Sequence, residues 1–217
     1  TVFTPEEIKI FKDEAFSTFS NGKRKYQQAA AYILMLNTGL RTGEVLGLLN
    51  SDIDLENRVM HLNRGVKEIS KRDGVTAEKG REVKVGKLKS ATSKRDVPLN
   101  DTAIEMILDL RNEFYFGEDS PLIPDENGDF TRPLNFRKRF YRILKASEIE
   151  TKGLHALRHT FATNLVNGIE QPDGTIKSLT SRQVADLLGH TTSEITETYY
   201  VKRDMTKLEG ITDDFQF

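Results

Sequence analysis

The chain changes its apolar periodicity in one place. Val59–Leu62, Glu82–Val85 and Asp96–Leu99 are short, Val-bearing and alternating in polarity, the pattern of β-strands. They stand inside a sequence whose apolar residues otherwise recur at helical spacing. Helices, then a small sheet, then helices, with no internal repeat, confine the fold to a mainly α domain with one antiparallel sheet inserted early, an α+β class. A length of 217 residues suffices for one sizeable core, or one core and a small lobe.

The helical segments carry their own start and stop signals. Thr4-Pro5-Glu6-Glu7 supplies a cap, a first-turn proline and a capping-box acid, and Ile8, Phe11, Ala15 and Phe19 follow at helical spacing. A second helix is expected over about Lys23–Thr38, with AAAYILML as its buried body and Gly39 as its end. Thr42–Leu49 reads as a short helix. The charged stretch between the first two strands, with Gly74 and Gly80, reads as an extended loop or long hairpin. Asn100 or Asp101 caps a helix through about Phe116, and Ser120–Phe130 is loop. Helices are then expected at Leu134–Ala146, His155–Asn167, Ser181–Leu188 and Ser193–Tyr200, before a polar tail from Lys202.

Composition removes several classes of function. With no cysteine, the chain has no disulfide, thiolate metal site or cysteine nucleophile. No apolar run approaches the roughly 18 residues of a membrane span, and no secretory start is visible. The first residue is Thr1 rather than Met, so the chain is expected to be a fragment of a longer protein. The net charge of −1 conceals a segregation. Arg64 to Arg95 holds 11 basic and 4 acidic residues, and Arg132 to Lys145 holds 6 basic and none acidic. Asp101 to Asp129 holds 9 acids against one arginine. Segregated charge can give a near-neutral molecule one face for a polyanion, although any one run also reads as solvated surface.

Four segments carry candidate chemistry: TGLRTGEVLGL (38–48), KLKSATSKRDVPL (87–99), HALRHTFAT (155–163) and LLGHTTSEITETYY (187–200). Singly, each has a plain structural reading. Arg41 can pair with Glu44 three residues on. Lys89 can be a solvated strand residue. His155 and Arg158 share a helix face, His159 beside them suits packing or capping, and His190 can satisfy a helix-end carbonyl. Tyr199 and Tyr200 can pack as amphipathic residues. Together, two arginines, a lysine, two histidines and a tyrosine suit an anionic oxygen centre. Guanidinium forks match a phosphate and keep their charge. A tyrosine can attack covalently, a lysine can protonate a leaving oxygen, and histidines can move protons or donate hydrogen bonds. The sequence shows no tight carboxylate cluster for a two-metal nuclease and no Gly-rich nucleotide-phosphate loop.

These segments resemble the tyrosine recombinase (phage integrase) family, in family order and across Thr4 to about Tyr200. TGLRTGEVLGL is similar to its first box and HALRHTFAT to its His-x-x-Arg box. LLGHTTSEITETYY is similar to its last box, with the tyrosine nine residues after the histidine. The resemblance implies a catalytic domain in which Arg41 and Arg158 clamp the scissile phosphate and His155 and His190 hydrogen-bond to it or relay protons. Lys89 protonates the 5′-oxygen leaving group, and Tyr199 forms a 3′-phosphotyrosyl link. Glu44 supports Arg41. Lys87, Lys94, Arg95, Arg137, Lys138 and Arg139 are expected to touch DNA.

The resemblance implies no metal and no cofactor, because the bond energy is held in the protein–DNA ester. It implies double-stranded DNA as partner, a tetramer on DNA and a monomer when free, no membrane, and a cytoplasmic, nucleoid-associated setting in a bacterial or phage-infected cell. An N-terminal core-binding domain, and any arm-binding domain, are expected to precede residues 1–217, and residues 202–217 to dock on a neighbouring subunit. Val201 stands where the family often has His. Lys89 is favoured over Lys87 and Lys94 because it lies nine residues before Pro98, and Tyr199 over Tyr200 on spacing. Two other readings remain: a non-catalytic helix-turn-helix DNA-binding regulator built on residues 178–203, and a type IB topoisomerase-like enzyme.

Overall fold

A computed structural model describes residues 2–70, 81–88, 94–170 and 174–189. Helix α1 (Pro5–Ala15) begins on the expected capping box: Thr4 accepts from the Glu7 amide at 3.1 Å, and Glu7 accepts from the Thr4 amide at 2.8 Å. Helix α2 (Ala30–Thr38) is buried around nearly its whole circumference. It starts seven residues later than the sequence suggests. Gln28 adopts a left-handed φ of 58°, its amide donates to Glu113 at 2.9 Å, and its side chain binds the Pro124 carbonyl, so the backbone there serves tertiary bonds instead of a helix. Helix α3 (Thr42–Val45) follows, shorter than expected.

The single sheet expected from the sequence is two ladders. Strands β1 (Ile53–Asp54), β2 (Val59–Leu62) and β5 (Arg95–Pro98) form one antiparallel sheet in the order β1-β2-β5, with Met60 opposite Val97. Strands β3 (Arg64–Ser70) and β4 (Arg81–Lys87) pair separately as a long hairpin. The charged segment, expected as an extended loop or long hairpin, supplies strand β3 of that hairpin. Its lysines obscured a period-2 pattern in which Val66 is buried and Lys67 is not. Helices α4 (Asp101–Glu113), α5 (Pro133–Ala146), α6 (His155–Asn167) and α7 (Ser181–Leu188) complete the architecture, with a short pair β6 (Ile169–Glu170) and β7 (Ile176–Lys177) that the sequence reading did not contain. α6 and α7 carry the bounds expected of them; the helix expected at Ser193–Tyr200 lies outside the described residues.

The main core is aromatic at its centre. Phe3, Phe11, Tyr32, Phe136 and Phe140, from the N-terminal segment, α1, α2 and α5, are all buried, with Tyr32 and Phe136 ring centroids 4.5 Å apart. The tyrosine hydroxyl is not wasted there: it donates to the Phe136 carbonyl at 2.8 Å. A smaller apolar cluster of Ala162, Val184 and Leu188 seats α7 on α6.

Glycines set the approach of the site-bearing elements. Gly39 ends α2 at φ 65°, and a methyl group there would stand 2.5 Å from Phe161 and 2.6 Å from Leu188. On α3, a Cβ at Gly43 would lie 2.8 Å from the Val66 carbonyl oxygen, and in the turn that follows α3 one at Gly47 would lie 2.9 Å from the Arg64 oxygen. The Gly43-x-x-x-Gly47 spacing thus presses α3 directly onto the β3 backbone. Gly39→Ala is expected to destabilise the fold by about 1–3 kcal/mol, from left-handed strain and the steric clash together, read as a lowered midpoint in urea unfolding.

Candidate active site

The candidate site is organised around one buried carboxylate. Glu44, on the single turn of α3, is 3 % exposed. It closes that turn by accepting from the Arg41 amide at 2.9 Å, and it accepts from Arg41 Nη1 at 2.8 Å. Arg95, on β5, donates from Nη1 and Nη2 to the two Glu44 oxygens, each at 3.2 Å. Arg158, on α6, brings Nη1 to 3.9 Å from the same carboxylate. Burial pushes the Glu44 carboxyl up, but hydrogen bonding and charge from Arg95, then the Arg41 backbone and charge, outweigh it, and the net shift is downward.

The three guanidiniums differ in what they present. The Arg41 side chain is 38 % exposed. Arg158 is 1 % exposed, and it donates to the Gly39 carbonyl at 2.7 Å and the Leu188 carbonyl at 2.8 Å. Those oxygens close the C-terminal ends of α2 and α7, where a cation also meets the negative end of each helix dipole. Arg158, expected to clamp the phosphate with Arg41, is thus anchored at the junction of the two helix ends, beside Glu44. The Arg95 side chain is 8 % exposed and adds a 2.7 Å bond from Nε to the Leu187 carbonyl. Expected at a DNA surface, it is placed inside the protein. Arg139 is half-buried and bonds to Gln28.

Arg41 opens onto a groove of about 640 Å³ between α3 and the β3–β4 hairpin, lined also by Gly65, Lys67, Lys84, Gly86 and Lys87. Lys67 and Lys84 are direct cross-strand partners, an arrangement of like charges that weakens a ladder unless an anion screens it. Among the described residues neither makes an ion pair. Gly65 and Gly86 face each other beside them, and a Cβ on Gly86 would meet nothing within 4 Å, so packing does not demand a glycine there. Lys67 and Lys84 were missed in the sequence reading; their signal was basic residues in matching phase on two alternating segments. Of the residues expected to touch DNA, Lys87 lines this groove, whereas Lys94, Arg137 and Lys138 are exposed elsewhere.

His155 opens α6, and its pKa is lowered by burial first, then by Arg158 and Arg41, against the pull of Glu44. His159 stacks edge-on against it with ring centroids 4.5 Å apart, and its pKa falls to about 4, from burial first and then from His155. Lys89, His190, Tyr199 and Tyr200 lie outside the described residues. Gly189, the residue before His190 in sequence, caps α7 at φ 65°. Among the described residues no group of three or more His, Cys, Asp or Glu side chains is placed to hold a metal ion.

A mostly helical domain with small antiparallel sheets is the architecture of tyrosine recombinase and integrase catalytic domains. The Tn1549 transposon integrase, solved in complex with circular intermediate DNA, superposes with a TM-score of 0.74 at 20 % identity, over 100 % of this chain and 67 % of that one. XerA recombinase does so at 0.63 and 22 %, over 100 % of this chain and 64 % of its own. The chain belongs to the phage integrase family, whose model matches residues 2–206. It is 29 % identical to a tyrosine recombinase XerC-like protein of Caldanaerobacter subterraneus subsp. tengcongensis, over 98 % of this chain and 57 % of that protein. With tyrosine recombinase XerC of Corynebacterium glutamicum the identity is 27 %, over 87 % of this chain and 50 % of that one. The chain thus spans about half the length of the curated relatives it matches.

Two expectations follow. Both histidines sit below the ordinary histidine value, so the fold disfavours their charged forms. Their contribution to stability is complete above about pH 6.5 and is lost as pH falls toward about 4 for His159. The melting temperature is expected to drop between about pH 7 and about pH 5, and to drop less in His159→Asn. Separately, Glu44→Gln leaves Arg95 and Arg158 buried without their counter-charge and is expected to cost about 3 kcal/mol in denaturant unfolding.

Proposed function

We propose that this chain is the catalytic part of a site-specific DNA recombinase that cleaves and rejoins strands through a 3′-phosphotyrosyl intermediate, integrating or excising a mobile element. The observation that carries the reading is the pairing of a partly exposed Arg41 with a groove lined by Lys67, Lys84 and Lys87, backed by Glu44 and two buried arginines. Three guanidiniums around one carboxylate leave net positive charge at the mouth of the groove. That field favours a phosphodiester, and favours more strongly the additional negative charge of its attacked state.

In this reading Arg41 grips the scissile phosphate directly. Arg158, anchored on the Gly39 and Leu188 carbonyls, completes the clamp with its charge. His155, kept neutral near pH 7 by its surroundings, donates or relays a proton, and His190 has the same role. The Tyr199 oxygen attacks phosphorus as the bond to the 5′-oxygen breaks, Lys89 delivers a proton to that oxygen, and a 5′-hydroxyl from a partner strand later reverses the step. No metal or cofactor takes part. The partners are double-stranded DNA and further copies of the protein, assembled as a tetramer on DNA from free monomers. Residues 1–217 act with a core-binding domain placed before them, and residues 202–217 dock on a neighbouring subunit. The setting is cytoplasmic and nucleoid-associated; among the described residues no helix is long and apolar enough to cross a membrane.

A helix-turn-helix regulator would not need a buried glutamate gathering arginines from the start of α3, β5 and α6, the last of them 114 residues beyond Glu44. The test is covalent trapping. The full-length protein is incubated in EDTA with a pool of nicked duplexes of randomised core sequence, and denaturation-resistant adducts are isolated and sequenced. An adduct formed by wild type and Tyr200→Phe, and lost in Tyr199→Phe, is expected. Binding to the pool without any adduct would overturn the enzymatic reading in favour of the regulator. Adducts from every sequence alike would favour a topoisomerase.

A further inference from the structure

Arg95 is an unusual residue to find inside this domain. It stands in a segment, Lys94-Arg95-Asp96, whose charge suggests solvent, yet its side chain is 8 % exposed. Its guanidinium faces two ways. One edge meets both oxygens of Glu44 at 3.2 Å, while Nε donates to the Leu187 carbonyl at 2.7 Å. Three elements distant in sequence are therefore joined through one planar group: α3 with Arg41 and Glu44, β5, and the last turn of α7.

The consequences run along both edges. Glu44 simultaneously caps the α3 turn through the Arg41 amide and orients the Arg41 guanidinium, so whatever fixes the carboxylate plane fixes Arg41. Arg95 is also the leading cause holding Glu44 ionised against its burial. On the other edge, the Leu187 carbonyl bound by Arg95 and the Leu188 carbonyl bound by Arg158 set the end of α7, from which the chain runs through Gly189 to His190. A lysine cannot replace this arrangement. Its single ammonium lacks the flat fork that can serve a carboxylate along one edge and a carbonyl on another.

We propose that Arg95 is a positioning residue for phosphoryl transfer: through Glu44 it aims Arg41 at the phosphate, and through Leu187 it ties that aim to the end of α7. This rests on the recombinase reading. Arg95 touches no DNA in the proposal; it acts through Glu44, and its loss changes the rate of cleavage more than the affinity for DNA.

The test compares full-length wild type with Arg95→Lys, which keeps the charge, and with Arg95→Gln. Three quantities are read: amide hydrogen exchange at Arg41, single-turnover cleavage at saturating duplex recovered from the randomised pool, and the dissociation constant of that duplex in a Tyr199→Phe background. Arg95→Lys is expected to fold with near wild-type thermal stability and to exchange the Arg41 amide faster. It should cleave on the order of 10- to 100-fold more slowly, as expected for a misplacement far from the chemistry, with the dissociation constant changed less than about threefold. Combining it with Glu44→Gln should add little further loss of rate, because both act through the same carboxylate.

Unchanged exchange at Arg41, or wild-type cleavage by Arg95→Lys, overturns the proposal. A large loss of DNA affinity with little loss of saturated rate also overturns it and makes Arg95 a DNA-contacting residue. If Arg95→Lys is unfolded, the Arg95→Gln protein is read in the same way; loss of global stability in both, with exchange accelerated uniformly, overturns the positioning role in favour of a purely structural one. Absence of an adduct from wild type counts against the recombinase reading itself, whereas equal adduct formation by wild type and both variants counts against Arg95 alone.

Discussion

A carboxylate buried with three arginines around it is the constraint on which the rest of this structure depends. A lone ionised glutamate in the interior would be prohibitively desolvated. Glu44 remains charged because Arg95 and Arg41 bond to it and Arg158 lies close behind. The pairing is deliberately uneven, with more positive than negative charge in a small volume. Such an excess is costly in an isolated fold and becomes favourable when an anion arrives. The opposed Lys67 and Lys84 on the hairpin repeat the same logic at the surface.

Keeping that cluster together requires close backbone approach. Gly43 and Gly47 let α3 lie against β3, and Gly39 lets α2 end between Phe161 and Leu188. The ends of α2 and α7 converge on Arg158 because their last carbonyls need donors that the helices themselves no longer provide. Helix termination, glycine packing and guanidinium placement are thus one problem solved jointly. Arg158, buried at that junction, bonds to both helix ends and stands 3.9 Å from Glu44.

The near-neutral overall charge is also resolved by geometry. Many acids of the 101–129 region are committed to structure: Asp109 holds Arg24 through two bonds of 2.6 Å, Asp101 pairs with Arg58, and Glu113 accepts from the Gln28 amide. The basic residues divide in the opposite sense. Lys67, Lys84 and Lys87 line the groove, while Arg95 turns inward and Arg139 is half-buried against Gln28. Counting charges along the chain located the asymmetry correctly and could not tell a surface arginine from a buried one.

By itself, the sequence determined the local elements with the strongest signals. The Thr4 capping box, the Gly39 helix end, and the bounds of α6 and α7 follow from cap chemistry and apolar spacing, which act within a few residues. The motifs around Arg41, His155 and Arg158 were legible for the same reason, since each sits in a short box of fixed spacing. Tertiary structure alone decided that β3 and β4 form a ladder separate from β1-β2-β5, and that α2 begins only after Gln28 has turned to bind Glu113 and Pro124. It also decided which cations face the groove. Those outcomes depend on partners tens of residues away, and no local pattern encodes whether an arginine will meet water or, as Arg95 does, a carboxylate 51 residues earlier in the chain.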